Sequence, residues 1–208
     1  MVRLSLLAAV AALTLAAAGC TKQQPDPVPP AASHSVVSTP AAEEKVPYLL
    51  NVLDLCRHTD VQPLQEFSLK VKSTDGRSPL LGTGESCVFE FDSPTGKPAT
   101  LQVQAFAPPS VEEAKRMYAA QRGKRMASDG PVGAVAEEAE AFTIQTEPQP
   151  DFKYAEYRIQ ARQANLLVDV WLAVGAPDAF IAKERLAAKV LAILNTTLAT
   201  INDNWLVK

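Results

Sequence analysis

The sequence is poor in the side chains that most often bind metals or nucleic acids. Its 208 residues include two histidines and three cysteines, which leaves little material for a metal site. Basic residues do not outnumber acidic ones, at 20 against 23. The concentrated positive face of a nucleic-acid-binding protein is therefore not expected.

Long hydrophobic runs are also lacking. The apolar run over residues 4–18 is too short to cross a bilayer comfortably, because a spanning helix needs about 20 apolar residues. Hydrophobic residues still make up 47% of the chain, which is enough to build a core and excludes disorder of the whole chain. The length fits one ordinary domain with an appendage.

The amino-terminal segment has the pattern of an export signal. Arg3 precedes the apolar run, and the run ends in Ala17-Ala18-Gly19-Cys20, where small residues let the chain lie extended for processing. This resembles the bacterial lipobox, although Ala17 stands where Leu is more usual. The resemblance implies a signal peptide over residues 1–19, diacylglyceryl transfer to Cys20, and acylation of the new amino terminus as a further option. The alternative is an ordinary secretory signal with a chance cysteine.

Residues 20–45 form the expected lipid-anchored linker. Residues 21–45 contain five prolines and no aromatic residue, a composition that cannot bury enough surface to fold. A proline-rich stretch favours extended polyproline geometry, in which this linker would reach about 75–80 Å. We interpret it as a spacer that holds the following domain off the membrane.

Residues 46–208 are the predicted globular domain, of α+β class. The patterns indicate a helix- or turn-like segment at 47–56, a short helix at 59–64, a half-buried strand at 66–72 and a loop at 73–85. Further strands are predicted at 86–91, 100–107, 132–135, 141–146, 154–161 and 166–174. A capping box at Ser110 begins a helix that runs to Arg122, and Asp178 is predicted to cap a long helix to Ile201. Hairpins dominate over crossovers, so a mainly antiparallel sheet flanked by helices is expected.

The two cysteines that remain after Cys20 are predicted to form a disulfide. An even pair in an exported chain favours a bridge, here between Cys56 and Cys87. The rival interpretation is a metal or redox site that uses Cys56, His58 and Cys87. The Cys56-x-His58 spacing suits structural zinc poorly, and the chain has no C-x-x-C motif.

These features together resemble a known family. The chain resembles a two-cysteine lipoprotein family of unknown function that is common in actinobacteria. The resemblance rests on the lipobox, the proline-rich spacer, Asp54-Leu55-Cys56, the glycine-rich stretch before Cys87-Val88-Phe89 and the terminal Ala/Leu helix. The resemblance implies a Mog1/PsbP-like α/β/α sandwich and brings no catalytic residues. Phe89 stands where an aromatic residue, often Trp, is usual. Gln163-Ala164 replaces the usual glycine of the hairpin turn.

No catalytic motif is visible, so we expect no enzyme, cofactor or metal. Neither a nucleophile-elbow serine nor a phosphate-binding loop occurs in the sequence. Glu137, Glu138 and Glu140 could suggest paired carboxylates, but such runs are usually solvated. On the polar register of its strand, Trp171 is either covered by the terminal helix, which we expect, or part of a binding surface.

One cluster points to a partner. Five basic residues lie on the predicted helix or just past it, namely Lys115, Arg116, Arg122, Lys124 and Arg125. They either complement the carboxyl-terminal end of that helix or bind an anionic envelope polymer, a lipid headgroup or an acidic exported protein.

The sequence thus predicts a lipoprotein on the extracytoplasmic face of the cell membrane that acts as a non-catalytic binding or accessory module. The alternatives are an enzyme that acts on envelope material with an unrecognised site, and a sensor or inhibitor domain for another exported protein. No nucleic-acid partner is expected.

Overall fold

A computed structural model of the protein describes residues 46–78, 84–121 and 126–208. These residues belong to one compact unit of α+β class. Its strands are Lys70–Arg77 (β1), Gly84–Asp92 (β2), Ala99–Phe106 (β3), Ala127–Pro131 (β4), Glu138–Gln149 (β5), Phe152–Gln163 (β6) and Leu166–Ala176 (β7). Its helices are Leu55–His58 (α1), a 3-10 helix Gln62–Phe67, Val111–Gln121 (α2) and Lys183–Trp205 (α3). None of the described helices is long and apolar enough to span a membrane.

The sheet is antiparallel throughout and has the order β1-β2-β3-β7-β6-β5-β4. The predicted mainly antiparallel sheet is therefore confirmed. The central strand, β7, pairs with β3 on one side and with β6 on the other. Because alternate residues of a strand point to opposite faces, β7 contributes to both faces of the sheet.

We call the two sides of the sheet the covered face and the open face. On the covered face, Val168, Val170 and Leu172 of β7 are fully buried in the main core. The apolar stripe of α3 packs there, and all five stripe residues predicted from the sequence are buried: Leu186, Val190, Leu194, Leu198 and Ile201. The hydrophobic effect over this continuous contact is the main source of stability.

Helix α2 covers one end of the open face. Ala114 and Tyr118 of α2 pack with Phe106 of β3 and Leu167 of β7 in a separate small core. The predicted cap is present, since Ser110 Oγ accepts a hydrogen bond from the backbone N–H of Glu113 at 3.1 Å. Helices therefore lie on both faces of the sheet, but α2 covers only one end of the open face.

Several predicted elements agree with the structure. The strands at 86–91, 100–107, 141–146, 154–161 and 166–174 correspond to β2, β3, β5, β6 and β7. The β6–β7 hairpin turn is confirmed, and Ala164 takes a left-handed φ of 50° in it. The predicted end of the helix beyond Gln121 lies outside the described residues.

The predicted bounds of the elements in residues 59–77 were wrong: the short helix and the strand that follows it both begin later than expected. Pro63 lies in the first turn of the 3-10 helix, which ends at Phe67, and Ser68 then takes a left-handed φ of 53°. This turn breaks the alternation that suggested a strand over 66–72, so Val71 is exposed in β1. The edge strand β1 forms over 70–77, partly in the predicted loop, because backbone pairing with β2 holds it without a buried face.

Two further boundaries were also wrong. Residues 132–135 lie just after β4 in a turn where Ala134 has a φ of 59°, which a strand residue does not adopt. Helix α3 begins at Lys183 with Ala182 as its N-cap and no side-chain cap, so Asp178 does not start it. Strand β7 continues to Ala176. The chain needs residues 177–182 to turn back across the covered face before α3 begins.

A disulfide holds the short helix α1 to the sheet. The predicted Cys56–Cys87 disulfide is confirmed, with the two Cα atoms 5.1 Å apart. It ties α1 to β2, and closing a loop of this size contributes about 3–4 kcal/mol in the chain-entropy model. The same pairing commits Cys56 and Cys87 to a bridge, which corrects the rival metal or redox interpretation of these residues.

Candidate binding face

The residues predicted to carry function are spread over the chain. Cys20 and its lipobox lie outside the described residues. Within the described ranges, no group of three or more His, Cys, Asp or Glu side chains is placed to hold a metal ion.

The basic cluster is described in part. Lys115 forms an ion pair with Glu112 at 2.8 Å, and Arg116 approaches Glu113 at 3.6 Å. Both contacts join residues three apart on the surface of α2, where such pairs contribute a few tenths of a kcal/mol. The positive charge of these two residues is therefore partly neutralised within the helix. Arg122, Lys124 and Arg125 lie outside the described residues.

The acidic run is not a simple solvated face. Glu137 and Glu138 both pair with the guanidinium of Arg162, whose side chain is 6% exposed. Glu140 is buried on the open face and accepts a hydrogen bond from Ser128 Oγ at 2.6 Å. The expectation of solvation is confirmed for Glu137 and Glu138, whose side chains are 45% and 47% exposed although both pair with Arg162. It fails for Glu140, which strand pairing opposite Gln160 carries inward.

The terminal helix does not cover Trp171, in contrast to our expectation. Helix α3 packs on the residues of β7 that alternate with Trp171, so the two lie on opposite faces. We define the open patch as the half-buried residues around Trp171 on the open face: Val88, Thr100, Gln102, Glu156, Arg158 and Trp171.

Arg158 of this patch forms a charge pair with Asp169 at the centre of the sheet. Asp169 of β7 is 5% exposed, which is unusual for a carboxylate. Arg158 Nε donates to both carboxylate oxygens of Asp169, at 2.9 and 2.8 Å, and its terminal nitrogen also contacts Oδ2. Such a two-pronged contact fixes the plane of the guanidinium.

Buried amides continue this polar network under the end of α2. Gln160 Nε2 donates to Asp169 Oδ2 and to Gln121 Oε1, both at 3.1 Å. Within the described residues, Gln160 Oε1 and Gln121 Nε2 have no hydrogen-bond partner. Gln160 is 2% exposed, and a buried polar atom without a partner costs free energy. The network therefore has unused hydrogen-bonding capacity.

Trp171 is held in place by hydrogen bonding and by strand register. Its Nε1 donates to Glu156 Oε2 at 2.8 Å. It lies directly opposite Gln102 of β3 and Arg158 of β6. An amphipathic ring is thereby surrounded by an amide, a guanidinium and a carboxylate, which supply both donors and acceptors. This arrangement suits a ligand that has an apolar surface bordered by hydroxyl or amide groups.

Two surface cavities lie elsewhere on the domain. One of about 560 Å³ adjoins the disulfide and is lined in part by Asp54, Cys56 and Glu85. Burial, and then the charge of Asp54, raise the pKa of Glu85. The other, of about 390 Å³, lies where Lys183 approaches β5. Neither cavity is part of the open patch.

Near Lys183, a tyrosine hydroxyl is held in its neutral form. Tyr157 donates to Asp129 at 3.2 Å. Burial, together with the nearby charge of Asp129, raises the pKa of Tyr157 to about 12. The phenol therefore stays protonated at neutral pH and is not prepared to act as a base or nucleophile.

Comparison with known proteins adds no further information about this face. No family model, no curated protein and no solved structure matches the chain.

The sequence contained a signal for this face that we did not use. Asp169 interrupts the otherwise apolar run over residues 166–174, and a charge inside a central strand needs a partner. Its partner, Arg158, lies on the preceding strand in diagonal register, across the turn at Ala164. Antiparallel pairing of β6 with β7 through this turn brings the two residues together.

We expect loss of one member of the charge pair to destabilise the protein more than loss of both. Arg158→Met leaves the Asp169 carboxylate without its main partner. The side chain of Arg158 is 30% exposed, so water reaches the site and the cost should be about 1–3 kcal/mol. In Arg158→Met/Asp169→Leu, which removes both charges of the pair, the free energy of unfolding should return toward that of the wild type.

Urea unfolding followed by circular dichroism measures these differences. Lys72→Met, a change of an exposed cation on β1, serves as the matched control and should alter stability by less than about 0.5 kcal/mol. A double variant whose loss equals the sum of the losses from Arg158→Met and Asp169→Leu alone would show that the two side chains are not coupled.

Proposed function

We propose that the protein is a lipid-anchored, non-catalytic binding module at the extracytoplasmic face of the bacterial cell membrane, and that the open patch binds an envelope glycan. The observation that carries the proposal is the position of Trp171. A half-buried tryptophan lies amid paired polar side chains on the sheet face that α3 does not cover. The lipobox, the proline-rich linker and the disulfide support the location.

The chemistry of the open patch favours a saccharide. A sugar ring presents a face of C–H groups that can pack on an indole, and it carries hydroxyls at its edge that both donate and accept hydrogen bonds. Gln102 and Thr100 offer both functions. Glu156 accepts through the carboxylate oxygen that Trp171 does not bind, and Arg158 donates. The ion pair with Asp169 holds Arg158 in place before the ligand arrives, which lowers the entropic cost of binding.

Binding without catalysis fits the groups at this face. The carboxylate of Asp169 is occupied by Arg158 and Gln160, and Glu156 is occupied by the indole of Trp171. General acid–base work needs a group that is free to exchange a proton with substrate. We therefore favour an accessory role over an envelope-acting enzyme.

The sequence resemblance extends the same proposal. We propose that the chain is related to the two-cysteine lipoproteins of actinobacteria and that its domain is Mog1/PsbP-like. The antiparallel sheet with helices on both faces supports this relation, as does the disulfide between the two cysteines.

We expect Cys20→Ala to release the protein from the membrane. The thiol of Cys20 is the atom to which a diacylglyceryl group would be attached, and two or more acyl chains hold a protein stably on a bilayer. Fractionation of cells that express either form measures the effect, and mass spectrometry of the mature protein measures the lipid. A wild type that carries no lipid, with Cys20→Ala equally membrane-bound, would refute the anchor.

We expect Trp171→Ala to weaken retention on insoluble cell-wall polysaccharide about 5- to 30-fold, which corresponds to losing about 1–2 kcal/mol of ring contact. Trp171→Phe keeps an apolar ring and should retain most of the binding. The detergent-solubilised full chain is the sample, and pull-down with the polysaccharide is the measurement.

Lys72→Ala on the exposed edge strand is the matched control and should bind as the wild type does. If Trp171→Ala still bound the polysaccharide and Lys72→Ala did not, the binding site would not be the open patch. Melting curves for each variant separate lost binding from lost folding.

A further inference from the structure

Exposed large apolar side chains are concentrated at one place on the domain. Six such side chains occur within the described residues, and five of them lie on two short segments near the start and the end of the domain. Val52 is 92% exposed and the other four are 42–56% exposed. We call these five residues the apolar rim: Leu49, Leu50, Val52, Leu206 and Val207.

Backbone pairing brings the two segments of the apolar rim together. Tyr48 and Leu206 form an antiparallel bridge. Leu49 N–H donates to the carbonyl of Trp205 at 2.9 Å, and Val207 N–H donates to the carbonyl of Pro47 at 2.8 Å. The apolar rim is therefore one continuous edge made from both segments.

A buried asparagine fixes the apolar rim to the sheet. Asn165, in the β6–β7 turn, is fully buried. Its Oδ1 accepts from Tyr48 N–H at 3.0 Å, and its Nδ2 donates to the carbonyls of Tyr48 and Pro108, both at 2.8 Å. Because buried hydrogen bonds to backbone hold a segment in one position, the apolar rim keeps a fixed orientation relative to the sheet.

We propose that the apolar rim docks the domain on the surface of a lipid bilayer. This inference rests on the proposed lipid anchor at Cys20. The linker over residues 21–45 ends next to Val46, three residues before Leu49. The end of the domain that is joined to the anchor is thus the end at which apolar side chains are exposed, and contiguous exposed apolar surface marks an interaction site.

A bilayer suits the apolar rim better than an anionic partner does. None of its five side chains carries a charge, so the attraction comes from transfer of apolar surface out of water and does not depend on ionic strength. Five partly exposed side chains would hold a free protein on lipid weakly. A tether turns docking into an intramolecular step at a high effective concentration, so weak contact suffices. Docking replaces our interpretation of the linker as a spacer that holds the domain off the membrane, because residues 21–45 reach their full length only in polyproline geometry and allow close approach when they relax to coil.

Docking through the apolar rim leaves the open patch accessible. The rim is held at the β6–β7 turn, and Trp171 lies further along β7, about 20 Å from Asn165 at the rise of a strand. The domain would lie on the membrane at the turn end and present Trp171 toward the envelope.

The test places a fluorescent label beside the apolar rim of the full lipid-bearing chain. The native cysteines are bonded to each other or to lipid, so Lys208→Cys supplies a single free thiol. The labelled protein is reconstituted at low density in phosphatidylcholine vesicles that contain a fraction of brominated lipid as quencher. A label at Pro94→Cys, in the turn between β2 and β3 at the opposite end of the sheet, is the reference.

We expect strong quenching at Lys208→Cys and little at Pro94→Cys. Leu50→Gln/Val52→Gln should reduce the quenching about fivefold or more, because two apolar side chains no longer favour lipid. Val71→Gln changes the sixth exposed apolar residue, on β1 away from the apolar rim, and should leave the quenching unchanged. Raised salt should also leave it unchanged.

The outcomes separate the docking surface from the anchor. A protein that floats with vesicles through its lipid, but whose Lys208→Cys label is as unquenched as the label at Pro94→Cys, keeps the anchor and overturns docking. A wild type without lipid that does not float overturns the proposed anchor itself. A third outcome is that the lipid-free Cys20→Ala chain forms dimers and that adding Leu50→Gln/Val52→Gln dissociates them. This outcome would assign the apolar rim to a second copy of the chain and overturn docking.

Discussion

The ion pair of Arg158 with Asp169 is the contact on which the open face depends. The central strand β7 must serve two faces, and its covered side is filled by the apolar stripe of α3. Asp169 on the other side is almost fully buried, so it has to be neutralised within the sheet. Arg158 does this from the neighbouring strand and is itself held flat beside Trp171. Helix α3 covers one face of the sheet, whereas α2 covers only one end of the other. Polar side chains can therefore lie at the centre of the open face.

The periphery of the domain is fixed by a few specific links. The disulfide joins α1 to β2, and Asn165 joins the first described segment to the β6–β7 turn and to the approach to α2. Both links lie outside the contact between α3 and the sheet. As a result, this first described segment has a defined position, and so do the exposed apolar side chains that it carries.

Much of the fold followed from local pattern, whereas the candidate site depended on pairing between strands. The period-two alternation of β3, β6 and β7, the capped start of α2 and the apolar stripe of α3 are local signals, and the structure confirms them. The edge strand β1 was misplaced, at 66–72 instead of 70–77, because it buries neither face and is held mainly by backbone pairing with β2. Asp178 has the residue type of a helix cap, but α3 begins only at Lys183, because β7 extends to Ala176 and residue type does not reveal that length. The coupling of Arg158, Asp169 and Trp171 depends on diagonal register, which single residues do not show, although Asp169 within an apolar run was a usable sign.

We propose that a ligand binds at the open patch and not on the face covered by α3. The most direct measurement is a two-dimensional NMR titration of the labelled protein with soluble fragments of cell-wall polysaccharide. We predict that shifts cluster at the backbone amides of Thr100, Gln102, Glu156 and Arg158 and at the indole N–H of Trp171, with the amides of α3 unchanged. Shifts confined to α3 or to the cavity beside the disulfide, or no shifts at all, would contradict it.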